Sequence, residues 1–115
     1  MKDFDGTLRY KDEDYKLVFS LNVMEAIQDE YGSLEKWGEL TDGSLGEINI
    51  KALIFGLNEM INEGIEIENE ETGAHRQLMT HKQVGRLLTK VGIAEATQTM
   101  NDVVINSSKS DEKNA

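Results

Sequence analysis

The sequence predicts an α+β domain in which an N-terminal antiparallel β-hairpin, over residues 4–20, packs on about five helices spread across 22–107. Three observations carry that expectation. Apolar residues alternate with polar ones from Phe4 to Phe19, the period of a half-buried strand. From Met24 onward the apolar period lengthens to that of a helix. Gly32, Gly64 and Gly92 each follow a periodic stretch, where a left-handed residue ends a helix.

In the hairpin, Phe4, Gly6, Leu8 and Tyr10 alternate with Asp5, Thr7 and Arg9, and Tyr15, Leu17 and Phe19 alternate with Lys16, Val18 and Ser20. The polar run Lys11–Asp14 is expected to be a four-residue link between the strands. Such a hairpin is marginal by itself in water, so its aromatic face must rest on the helices. The first helix is expected to be capped by Asn22, with Glu25 three residues on as in a capping box, and to use Met24, Ile27, Gln28 and Tyr31 before Gly32. Ser33 then caps a short helix over 34–40 that holds Trp37, the only tryptophan, beside Leu34. Trp37 either seals the core or serves as an exposed anchor for a partner.

Thr41–Gly46 reads as a loop. A third helix is expected from Asn49 to Asn62, with Ile50, Leu53, Ile54, Leu57, Met60 and Ile61 on one broad face, Phe55 off it, and Gly64 as its end. The acidic stretch 65–74 is expected to be at most a brief extended piece at Ile65 and Ile67 and otherwise a mobile loop, because it combines four glutamates within six residues with Gly73. Thr80 and Gln83 form a capping box for a fourth helix through Lys90, with Val84, Leu87, Leu88 and Val91 inward. A fifth helix is expected from Ala94 to Ser107 on Ala96, Met100, Val103 and Val104, and residues 108–115 form a polar tail expected to be disordered.

At 115 residues the chain suits one core, and residues 1–107 are expected to form a single domain. It contains no cysteine, so disulfides and thiolate metal sites are not available. No apolar run approaches a membrane span, and the Met1–Asp5 start reads as lacking the apolar region of a signal peptide, so a cytosolic setting is expected. The net charge of −10 is uneven. Residues 1–40 carry 10 acids and 5 bases, 41–71 carry 8 acids and only Lys51, and 72–115 carry 4 acids and 6 bases. Such a surface repels phosphate, which disfavours nucleic acid as a partner, and it suits a basic partner or plain solubility.

No string that carries catalysis or cofactor binding is present. His75 and His81 are six residues apart, lack the His-Glu-x-x-His spacing and have no third ligand at a recognisable distance in sequence. Glu66, Glu68, Glu70 and Glu71 do not match the ligand spacing of a calcium loop. Gly43-Ser-Leu-Gly46 lacks the lysine of a phosphate loop. Neither enzymatic activity, nor a metal, nor a cofactor is therefore expected. Lys82, Arg86 and Lys90 recur every four residues, with Arg76 upstream. This basic stripe is either a solvated face or an electrostatic contact for an acidic partner, including the acidic middle of a second copy.

Taken together, Gly6 with Tyr15-Lys-Leu-Val-Phe, then Leu21-Asn-Val-Met-Glu-Ala-Ile-Gln-Asp-Glu-Tyr-Gly, then Leu78-Met-Thr-His-Lys-Gln-Val-Gly-Arg-Leu-Leu resemble the tail assembly chaperones of long-tailed phages and prophages of Gram-positive bacteria. Small gene-transfer-agent tail proteins are similar. The resemblance spans most of residues 4–105 and rests on caps and core positions. It implies a non-enzymatic assembly factor that binds the tape measure protein, assists tail tube protein assembly, acts in the cytoplasm of the bacterial host and is not expected in the mature virion. The alternative is a tail completion or head–tail joining protein retained in the particle, and a third reading is a bacterial adaptor unrelated to phage. For the chaperone, an apolar groove with an acidic rim is expected, with Trp37, Phe55, Leu57 and Met60 as candidate groove residues and homo-oligomers as a further possibility.

Overall fold

A two-residue turn sets the front of the chain. In the computed structural model, which describes the backbone of residues 6–114 and the side chains of 6–107, Lys11 and Asp12 both adopt left-handed backbone, at φ 53° and 64°. Phe4 and the side chains of the polar tail 108–115 lie outside the described residues. Strands β1 (Thr7–Tyr10) and β2 (Glu13–Lys16) pair antiparallel, with Tyr10 opposite Glu13 and Arg9 opposite Asp14. The link is thus two residues rather than four, since positive φ at both central positions matches the right-handed strand twist. Glu13 and Asp14 join the strand, and Asp14 accepts a 2.8 Å bond from Arg9 across it.

Beyond Lys16 the chain remains extended but changes partner. Leu17 N–H donates to Gly6 O at 2.8 Å, then Val18 N–H donates to Met60 O at 3.3 Å. The expected alternation survives the change: Leu8, Leu17 and Phe19 are buried. Helix α1 (Leu21–Tyr31) is capped by Ser20 and not by Asn22. Ser20 is already extended, its Oγ accepts from Val23 N–H at 3.3 Å, and the hydroxyl donates to Glu63 at 2.6 Å. Of the residues expected to line this helix, Ile27 is buried and Gln28 exposed, and Val23 adds a core position. Helix α2 (Leu34–Thr41) starts on Ser33 as expected.

Helix α3 (Ile50–Thr72) is the axis of the fold and differs most from expectation. Asn49 caps it, it passes through Gly64 without interruption, and it ends at Gly73, which is left-handed at φ 78°. The stretch 65–72 is therefore helix and not a loop. Its glutamates are good helix formers, and Ile65, buried, together with part-buried Ile67 anchors the extra turns. Gly64 is required for another reason. A Cβ there would collide with the carbonyl oxygen of Lys16, so the strand crosses the helix at a point only glycine fits. Gly56 plays the same part for the Trp37 ring, which lies directly against it.

The segment after Gly73 returns along α3 and is held by asparagines. Asn58 and Asn62 side chains both donate to Met79 O, at 3.1 and 3.0 Å, and Asn62 Oδ1 accepts from Met79 N–H at 2.8 Å. Asn69 makes the same two-way exchange with the Arg76 backbone. Helix α4 (His81–Val91) then opens on the expected Thr80–Gln83 capping box and ends at Gly92. Helix α5 (Ile93–Asn114) runs past Ser107, where an end was expected. No glycine or proline follows Gly92, so nothing in the sequence enforces an earlier stop. Val84, Leu87, Leu88, Ala96, Met100 and Val103 complete the core.

Candidate partner-binding groove

The crossing at Gly64 leaves an open trough beside it. The extended segment Lys16–Ser20 forms one wall, the C-terminal half of α3 another, and α5 around Val103–Ser107 the third, around a volume of about 860 Å³. Val18, Leu21, Met24 and Ile67 supply its accessible apolar surface, over a floor of buried Leu17 and Val103. Leu21 is the informative residue. It occupies the first turn of α1 and is 80 % exposed, the largest exposure of any large apolar side chain among the described residues. The Ser20 cap dictates this, since it fixes where the helix starts, and the next two turns direct Val23 and Ile27 inward.

Charge is arranged along the same trough. Glu68 and Glu71 stand on the α3 wall and Lys16 on the strand wall. Glu68 accepts a 2.6 Å bond from Arg76, whose guanidinium also reaches Glu13 at 3.1 Å and lies 5.0 Å from the centre of the Tyr15 ring. Arg76 thus ties hairpin to helix instead of extending the basic stripe on α4. Further along α3, burial raises the Glu59 pKa above the ordinary carboxylate range, with Glu63 and Glu66 adding repulsion.

The residues expected to line a groove fall elsewhere. Leu57 and Met60 are 0 % exposed and Trp37 is 4 % exposed, so none of them offers a surface to a partner. Trp37 is the core seal: Nε1–H donates to Ala52 O at 3.0 Å and the ring stacks on Phe19, centroids 6.4 Å apart. Phe55 is part-buried and meets Tyr31 edge-on at 5.5 Å, on the α1 side of α3. Because the helical period places Leu57 and Met60 on the face with Leu53 and Ile61, that face goes to the core first. The trough residues were legible only singly, as alternating Leu17 and Phe19 or as periodic Met24 and Val103. What joins them is the extension of α3 through Gly64.

Lys82, Arg86 and Lys90 do share an exposed face of α4, and none has an ion pair among the described residues. Arg86 and Lys90, with Thr89, meet Tyr10 and Lys11 of the hairpin tip around a hollow of about 530 Å³. His75 and His81 are both exposed, and among the described residues no cluster of histidines and carboxylates could hold a metal ion. Among those residues, too, no helix is long and apolar enough to cross a membrane. No protein-family model, curated protein or solved structure matches the chain.

Proposed function

We propose that this chain is a non-enzymatic tail assembly chaperone of a long-tailed phage or prophage, which binds the tape measure protein and assists tail tube assembly in the host cytoplasm. The observation that carries this reading is the apolar trough with Leu21 standing exposed at its edge. A long helical partner exposes apolar stripes until a tube encloses it, and a trough of this kind covers such a stripe. The net charge of −10 keeps the resulting complex soluble. Met24 in the trough is unbranched and adapts to side chains of different shape.

The test has two parts. Tagged chain should capture the tape measure protein from cells producing tails, and purified virions should contain no stoichiometric amount of the chain. Capture together with stoichiometric incorporation would instead favour a tail completion or joining protein. Failure to capture any tail component would remove the phage reading.

A further inference from the structure

Helix α4 and the hairpin tip gather cations that the fold leaves unanswered. Lys82, Arg86 and Lys90 stand four residues apart on an exposed face, so they follow one another at steps of about 6 Å. The left-handed turn at Lys11 and Asp12 carries the tip to the end of this row. There Lys11, its Nζ 5.5 Å from the centre of the Tyr10 ring, joins Arg86 and Lys90 around the hollow of about 530 Å³. The lining of that hollow holds three bases and no acid. None of the four bases has an ion pair among the described residues, although acids outnumber bases 22 to 12 in the chain. The local charge therefore specifies an anionic occupant.

The matching surface is carried by the chain itself. At about 100° per residue, Glu59, Glu63, Glu66 and Glu70 share one flank of α3, about a quarter turn from the asparagines that hold the returning segment. Their steps of four, three and four residues rise about 6, 4.5 and 6 Å, close to the spacing of the row on α4. Glu63 is occupied by Ser20, whereas Glu59, Glu66 and Glu70 have no cation among the described residues. We infer that copies of this chain associate head to tail, the row Lys82–Arg86–Lys90 with Lys11 of one copy lying along the Glu59–Glu70 flank of the next. The two faces differ, so the contact is heterologous and each copy leaves one of each face free, which allows growth beyond a dimer. The remaining negative charge of two copies repels, but at 0.15 M salt it is screened beyond about 8 Å while the facing pairs are in contact. Exposed ion pairs are individually weak, so the association is weak and reversible. It goes beyond the chaperone reading and uses neither the trough nor Leu21.

Sedimentation of the full chain from about 10 µM to about 1 mM tests this. At about 0.15 M salt the average mass should rise with concentration, and at about 1 M salt it should return to that of one chain. The double change Lys82→Glu with Arg86→Glu, and separately Glu66→Lys with Glu70→Lys, should each weaken association at least about tenfold. Both suit the fold, since glutamate in the first turn of α4 and lysine towards the end of α3 complement the helix dipoles. An equal mixture of the two variants should associate again, because each then faces opposite charge on its neighbour. Both variants remain net negative, so recovery on mixing reports the matched faces and not overall attraction. Leu21→Asp should leave association unchanged. A single-chain mass at every concentration, association that survives 1 M salt, or variants that associate as the wild type does would each overturn the inference. So would a mixture that stays unassociated, or loss of association on Leu21→Asp, which would move the contact to the trough.

Discussion

Replacing Gly64 with alanine adds one methyl group at the point where β2 crosses α3. In an exposed helix interior the change would stabilise by about 1 kcal/mol, through propensity alone. Here the added Cβ would overlap the Lys16 carbonyl oxygen, a backbone atom that cannot rotate away. Relief requires lifting the strand off the helix, which stretches the bond from Val18 N–H to Met60 O and opens the packing of Leu17. Overpacking of this kind costs about 1–3 kcal/mol, and a weakened hydrogen bond adds about 1 kcal/mol. After the propensity gain, a net loss of about 2 kcal/mol is expected. Gly85→Ala is the matched control. Gly85 is helical, and its Cβ would meet only Ile54 Cδ1, at an ordinary 3.8 Å. It should gain up to about 1 kcal/mol. Urea unfolding followed by circular dichroism therefore gives opposite signs for two glycine-to-alanine changes in helices of one protein. A Gly64→Ala variant as stable as Gly85→Ala would refute the close crossing, and with it the geometry of the trough.

Leu57→Ala should cost about 2–5 kcal/mol in the same assay, because a fully buried side chain leaves a cavity, so any loss of partner binding would track unfolding. Arg76→Ala should cost only about 1 kcal/mol, since its partners Glu13 and Glu68 are substantially exposed, and exchange of hairpin amides with solvent should rise. Glu59→Gln should stabilise at neutral pH. The folded-state pKa of Glu59 is raised, so the carboxylate form is the unfavourable one when folded. The gain should shrink as pH falls through the folded pKa and vanish below the ordinary glutamate value of about 4.3, as read from urea midpoints across pH.

The hairpin, the Ser33 and Thr80 caps and the inward faces of α2 and α4 were legible because each depends on residues adjacent in sequence. Gly64 shows where that legibility ends. A glycine after a periodic stretch reads as a helix end, yet this one lies in the middle of α3 because a strand from residues 16–18 passes over it. Only the tertiary crossing separates the two readings. A helix that ended at Gly64 would leave the glutamates of 66–71 in a loop, whereas the continuous helix makes Glu68 and Glu71 part of the trough wall. Gly73, with left-handed backbone, was the true stop and was visible in the sequence. Trp37 could be read from sequence as either a core seal or a partner anchor, and the core takes it; Leu57 and Met60 sit on the broad apolar face of α3, which the core claims and which therefore cannot also line a groove. The exposure of Leu21 follows from the cap at Ser20, which the Asn22–Glu25 pattern masks in the sequence.

The central claim, that this chain shields an apolar surface of a helical partner, meets its most direct test in cells producing the tape measure protein alone or together with the chain. The account predicts that the tape measure protein is insoluble alone, soluble beside the wild-type chain, and insoluble again beside Leu21→Asp. Equal solubility in all three, or full rescue by Leu21→Asp, would contradict it.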